Sequence, residues 1–213
     1  MNDAGSIVRP PRPGGIRAVI LDFGGVVAEE GFRLGLEAIA LRHELDPAEL
    51  QREAEDAIYD TGYIVGRGTE ADFWERLRLR MGIAGTDDAL ADEILRRFVL
   101  RPRVVAAVRV LRRQGIVIAL LSDQTDWLER LDARDRIFLE FDRVFNSYRL
   151  GKGKRDATVF DDVVRALGTS PAETLFVDDN PGHVERASER GLAVLLFRTE
   201  VAFLSELSAW TAS

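Results

Sequence analysis

Three short apolar runs in this chain lead directly into acidic or hydroxyl side chains: 18–21 into Asp22, 116–121 into Ser122 and Asp123, and 174–177 into Asp178 and Asp179. Runs without polar alternation read as strands buried on both faces, and stretches of helical periodicity separate them. The expected fold is therefore α/β, a parallel sheet covered by helices. In an open sheet of that kind the ligand crevice lies at the carboxyl ends of the strands, where the strand order reverses. Acids far apart along the chain are expected to converge there.

The rest of the chain keeps the alternation. A shorter strand is expected over Arg143–Asn146 and a last one over Leu192–Phe197, with helices from Pro102 to Gly115, over Asp156–Leu167 and over Pro181–Arg190. Between about Glu29 and Leu100 only helical patterns occur. Phe73, Leu77 and Met81 recur every four residues beside Trp74, after Thr69 and Asp72 in capping-box spacing. Pro47 opens another helix after Asp46, and Thr86 or Asp87 caps a third. The expected organisation is a disordered arm over 1–15, a core over 16–28 and 103–213, and an all-helical insertion over 29–102.

With 36 acidic and 29 basic residues the net charge is −7. That argues against nucleic acid or an anionic membrane as the main partner and favours a small ligand. The absence of cysteine excludes a disulfide framework, a thiolate metal site and a thiol nucleophile. The apolar runs fall far short of the ~18 residues of a spanning helix, and there is no apolar leader. A soluble cytoplasmic protein is expected, with its oligomeric state left open.

Three carboxylates gathered in a partly desolvated crevice repel one another, and a hard divalent cation with oxygen ligands is the usual remedy. Magnesium fits that description. Because it commonly completes its shell with substrate phosphate oxygens, a phosphate joins the expectation. Capping of the helix at Pro181 accounts for one of Asp178 and Asp179 but poorly for both.

The run Asp22-Phe23-Gly24-Gly25-Val26-Val27 resembles the first motif of the haloacid dehalogenase superfamily, whose members are mostly magnesium-dependent phosphatases. Ser122 after Leu120-Leu121 is similar to its second motif, Lys154 to its third, and Phe176-Val177-Asp178-Asp179-Asn180 to its fourth. The resemblance covers about 17–197 and implies a Rossmann-like core with a helical cap inserted after the first strand. It further implies that Asp22 is the nucleophile, forming an aspartyl-phosphate that water hydrolyses. Magnesium would be held by Asp22, the Gly24 carbonyl and Asp179, with Asp178 as an alternative ligand. Ser122 and Lys154 would clamp the phosphoryl group of a small phosphorylated metabolite.

Several positions depart from the family pattern. Gly24 stands where a second aspartate usually serves as general acid and base, help worth ~10²- to 10⁴-fold. Its loss is expected to restrict the protein to substrates with good leaving groups, such as anomeric sugar phosphates or acyl phosphates, or to ones that bring their own acid. Asp123 replaces the usual asparagine and is a candidate substrate contact. In Gly151-Lys152-Gly153-Lys154-Arg155-Asp156 two lysines compete; register with Asp156 favours Lys154, and Arg155 replaces the familiar proline. The same stretch lacks the spacing of a nucleotide-binding P-loop.

His183, in the first turn of the helix after the acidic pair, is within reach of the site but is expected at an exposed helix position, and His43 is expected on the surface of the insertion, while Tyr59, Tyr63 and Glu29 are candidates to face the crevice. Phe73 and Trp74 read as core. Two other functions compete with the phosphatase. Gly24 and Asp123 suit a phosphate- or metabolite-binding protein of little turnover. A metal-independent 2-haloacid dehalogenase would use Asp22 alone, and retention of both Asp178 and Asp179 argues against it.

Overall fold

The computed structural model describes residues 15–211; the expected arm lies outside them, Gly15 excepted. The strands are β1 (Ala18–Leu21), β2 (Val117–Ser122), β3 (Arg143–Asn146), β4 (Thr174–Asp178) and β5 (Ala193–Leu196), in one parallel sheet ordered β3-β2-β1-β4-β5. The helices are α1 (Gly31–Arg42), α2 (Pro47–Asp60), α3 (Glu70–Met81), α4 (Asp87–Leu95), α5 (Pro102–Arg113), α6 (Trp127–Asp135), α7 (Ser147–Leu150), α8 (Thr158–Leu167), α9 (Pro181–Glu189) and α10 (Glu200–Thr211). The α/β expectation holds.

From β1 the chain steps outward to β2 and β3, then returns across β1 to β4 and β5. The order reverses beside β1, which places the crevice there. Leu21 pairs with Leu120 on one side and Val177 on the other. Asp22 therefore ends β1 level with Asp178 and one residue before the level of Ser122. Alternate strand residues feed two cores. Val19, Leu21, Leu120 and Val177 join one with α5 and α6, while Ile20, Ala119 and Phe176 join the other with α8 and α9. Burial on both faces is why these strands carry no polar alternation.

Helices α1–α4 and a 3-10 turn at Tyr63–Val65 make up the insertion between β1 and α5. Asp46 caps α2 by accepting from the Ala48 and Glu49 N–H groups, and Thr69 with Asp72 forms the expected capping box on α3. Thr86, rather than Asp87, caps α4. Ala28 and Leu100 bridge antiparallel at the base of the insertion. Farther out, Phe32, Tyr63, Phe73 and Trp74 pack around Trp127 of α6, with ring centroids 6.0–6.4 Å from its own. The Ser147 hydroxyl donates to the Ile64 carbonyl at 2.7 Å beside this cluster. The insertion is thus packed onto the core at its base and along one flank. Phe73 and Trp74 are core residues, as expected. Tyr63 does not face the crevice: it is buried in the cluster and its hydroxyl donates to Asp126. His43 is also more engaged than its surroundings in sequence imply. Its Nδ1 lies 2.8 Å from the Ile39 carbonyl and its Nε2 accepts from the Ala84 N–H at 2.9 Å, tying α1 to the start of the turn before α4.

Helices α1 and α4 meet at Gly35, where a β-carbon would stand 2.5 Å from the Ile94 Cα. Overpacking of that kind costs ~1–3 kcal/mol. Gly35→Ala should therefore lower the melting temperature by several degrees despite alanine's better helix propensity, read by calorimetry. An equal or higher melting temperature would show that the two helices separate freely.

Candidate active site

At the end of β1 the Asp22 N–H donates to the Val177 carbonyl at 2.9 Å, and the Phe23 N–H donates to Asp22 Oδ1 at 2.7 Å. Asp178, one strand away, is fully buried. The Lys154 ammonium lies between them, 2.8 Å from Asp22 Oδ1 and 2.7 Å from Asp178 Oδ2. Asp179 completes the group: one oxygen each from Asp22, Asp178 and Asp179 lie within 4.8 Å of one another.

The electrostatics follow from burial and pairing. Burial pushes the Asp22 carboxyl well above its usual range; Lys154 opposes this, and Asp178 and Asp179 add to it. For Asp178, burial acts in the same direction but is outweighed by Lys154 and His183, so its carboxyl is held below the ordinary range. Burial disfavours the Lys154 charge, yet the carboxylates of Asp178, Asp22 and Asp123 raise its pKa. With all three acids ionised, one ammonium leaves two negative charges without a counter-charge. An all-oxygen donor set with that deficit fits a hard divalent cation. Gly25, at φ +81°, lets the β1 loop close on this cluster, since a β-carbon there would stand 2.0 Å from Asp179 Oδ2.

Lys154 owes its place to neighbours that clasp its backbone. Its N–H donates to Asp123 Oδ1 and Oδ2 at 2.8 and 3.0 Å, and its carbonyl accepts from Arg186 Nε at 2.8 Å. A β-carbon at Gly153 would meet Asp123 Oδ1 at 2.7 Å, so the preceding position has room only for glycine. Asp123, a candidate substrate contact, lines the crevice but spends both oxygens on this loop. Lys152 turns away, pairing with Asp162 and donating to the Thr158 hydroxyl at 2.9 Å.

The structure brings Asp22, Ser122, Asp123, Lys154, Asp178 and Asp179 together, with Gly24 in the adjoining loop. Capping explains neither of the paired acids, because Asn180 caps α9 by accepting from the Gly182 and His183 N–H groups. The expectation of an exposed His183 fails. Its side chain is only 14% exposed, and Nδ1 lies 3.3 Å from both Asp178 oxygens because the first turn of α9 folds back over the end of β4.

A crevice of about 490 Å³ lies over this group, with Arg33, Tyr59 and Glu30 of the insertion on its other wall. Tyr59 is where it was expected, under the Arg155 guanidinium at 3.5 Å from its ring centroid. Glu29 is not: it pairs with Arg101 at 2.9 Å, and the neighbouring Glu30 lines the crevice instead. Arg155, Arg186 and Glu30 carry no motif of their own; Asp156 and Pro181, which mark the nearby helix starts, are the sequence signals closest to the two arginines. Among the described residues no helix is long and apolar enough to cross a membrane.

A family model described as haloacid dehalogenase-like hydrolase matches residues 16–187. The chain is 26% identical over 122 residues to bifunctional epoxide hydrolase 2 of Rattus norvegicus, covering 54% of this chain but 22% of that protein. It is 29% identical over 140 residues to sesquiterpene phosphatase astK of Aspergillus oryzae, covering 64% of this chain and 70% of that one. Among solved structures, a HAD family enzyme of Bacteroides thetaiotaomicron in complex with magnesium and inorganic phosphate superposes with a TM-score of 0.69. The identity is 20%, over 86% of this chain and 95% of the other, a likeness of fold.

Lys154→Met leaves Asp22 and Asp178 buried without their counter-ion, a change that costs ~3–5 kcal/mol. Urea unfolding near neutral pH should show a loss of that order. In the native protein Asp178, with its pKa lowered to about 2, keeps its contribution down to about pH 4 and loses it only below that; in the variant the stranded carboxyls, pushed up by burial, take up protons as pH falls toward about 4, and the variant recovers stability there. The gap between the two proteins should therefore narrow from about pH 7 to about pH 4. A gap that stays constant would mean the ammonium does not compensate these acids.

Proposed function

The chain belongs to the haloacid dehalogenase-like hydrolases, and on that premise we propose that it is a magnesium-dependent phosphomonoester hydrolase acting on a small phosphorylated metabolite. The observation that carries this reading is the cluster of Asp22, Asp178 and Asp179, whose charge a single ammonium does not balance. The match to a fungal phosphatase and the shared fold with a magnesium and phosphate complex support it.

Asp22, Asp179 and the Gly24 carbonyl would hold magnesium. Asp178 is less available, since its oxygens already face Lys154, the Asn180 N–H and His183, and it is an alternative ligand at most. When bound, the cation offsets the acids and the phosphoryl charge and draws electron density from phosphorus. Asp22 attacks phosphorus and forms an aspartyl-phosphate, which water then hydrolyses. Lys154 directs two of its three N–H bonds at Asp22 and Asp178 and has the third for a phosphoryl oxygen. The Ser122 hydroxyl, at the end of β2, binds another. The helices of 29–102 act as a cap over a core of 16–28 and the described residues from 103 onward, excluding water and selecting the metabolite.

Gly24 favours a second reading, a phosphate- or metabolite-binding protein of little turnover, and one experiment separates the two. Phosphate release would be followed over nitrophenyl phosphate, sugar phosphates, nucleotides and acyl phosphates, with and without magnesium. The hydrolase should turn over only with magnesium and lose ~10³-fold or more activity in Asp22→Asn. Absence of magnesium- and Asp22-dependent release across the panel would leave the binding protein.

A further inference from the structure

Transfer of the phosphoryl group to Asp22 makes a demand that the residues above do not meet. The bond from phosphorus to the leaving oxygen breaks with its electron pair on that oxygen, and an alkoxide leaves slowly without a proton. Gly24 has no side chain to supply one. Most acids of the crevice are already committed. Asp22 attacks phosphorus, Asp179 is assigned to the cation, Asp178 faces Lys154 and His183, and Asp123 accepts from the Lys154 N–H. Glu55 is exposed and accepts from Gln51.

Glu30 is placed differently. It is the N-cap of α1, and its Oε2 accepts from the Arg33 N–H at 2.7 Å. Its Oε1 lies 3.6 Å from where a β-carbon on Gly24 would stand. Both residues line the crevice. A carboxyl from the insertion thus borders the space that a side chain at position 24 would enter from the β1 loop, with the Phe98 ring, at 3.3 Å from the same point, on another side.

We propose that Glu30 is the general acid and base of this site. The inference rests on the phosphatase reading and adds a residue to it. As the Asp22 oxygen bonds to phosphorus, the Glu30 carboxyl gives its proton to the departing oxygen, releasing an alcohol and leaving a Glu30 carboxylate. In the second half that carboxylate takes a proton from the water attacking phosphorus. Inorganic phosphate departs, the Asp22 carboxylate is restored and Glu30 is protonated again. Because Glu30 stands at the start of α1, the proton carrier belongs to the insertion and the nucleophile to the sheet. A site completed in this way has no need of the restriction to good leaving groups that Gly24 alone implies.

The test is the dependence of kcat/KM on leaving-group acidity across substituted phenyl phosphates, with magnesium present. Wild type should show a shallow dependence. Glu30→Gln keeps an oxygen for the Arg33 N–H but has no proton to give. It should fall ~10²-fold or more on phenyl phosphate while staying within a few-fold of wild type on dinitrophenyl phosphate. Glu30→Ser, a second capping residue without an acid, should steepen the series in the same way. Equal losses on every member, or none, would overturn the role of Glu30, as would a steepening produced by His183→Asn and not by the Glu30 variants. A wild-type protein without Asp22-dependent release would instead overturn the phosphatase reading, and this role with it.

Discussion

The Lys154 ammonium, almost wholly removed from solvent, lies within hydrogen-bond distance of two carboxylates that end adjacent strands. Without it, register alone would set Asp22 and Asp178 side by side with only His183, beside Asp178, to offset their charges, at a cost of several kcal/mol per stranded ion. The surrounding structure is organised to deliver that charge. Asp123 and Arg186 hold the Lys154 backbone from opposite sides, and Gly153 leaves room for the Asp123 carboxylate. These side chains have their effect by placing a lysine that the crevice needs.

The compensation is incomplete in a way that has chemical use. Asp178 is drawn down by Lys154 and His183, while Asp22 remains pushed up by burial and by its acidic neighbours. One acid is thereby satisfied within the protein, and the other is left for the cation proposed above. The glycine at position 25 brings the β1 loop against Asp179, so the cluster is closed by backbone that has no side chain to obstruct it. Above the cluster the insertion contributes Arg33 and Tyr59, and the aromatic packing around Trp127 fixes how those residues meet the sheet.

Much of this was legible in the residues themselves. Unbroken apolar runs ending in Asp22, Ser122 and Asp178 identify buried parallel strands and the end at which chemistry gathers, because burial on both faces leaves no position for alternation. Caps at Asp46 and Thr69 are readable for the same local reason, each needing only a short side chain and the next turn of helix, whereas sequence leaves Thr86 and Asp87 as equal candidates for the third. Helix α6 was less so. Trp127, Leu128 and Leu131 face the core, but three apolar residues among charges do not distinguish a short helix from a loop. The burial of His183 is not legible in sequence, because a position in the first helical turn is exposed or covered according to how the helix returns to its strand.

Sequence by itself determined the sheet, its helical insertion and the identity of the acids, since apolar periodicity and strand ends are properties of neighbouring residues. Tertiary structure decided which of two adjacent glutamates enters the crevice, which of two nearby lysines turns inward, and that Asp123 grips a loop. Glu29 turns to Arg101 and Glu30 to the crevice; Lys152 turns to Asp162 and Lys154 to the buried acids. Those choices depend on partners brought from distant parts of the chain. The type of a residue limits what it can bond to, and the packing of the whole chain sets which partner is within reach.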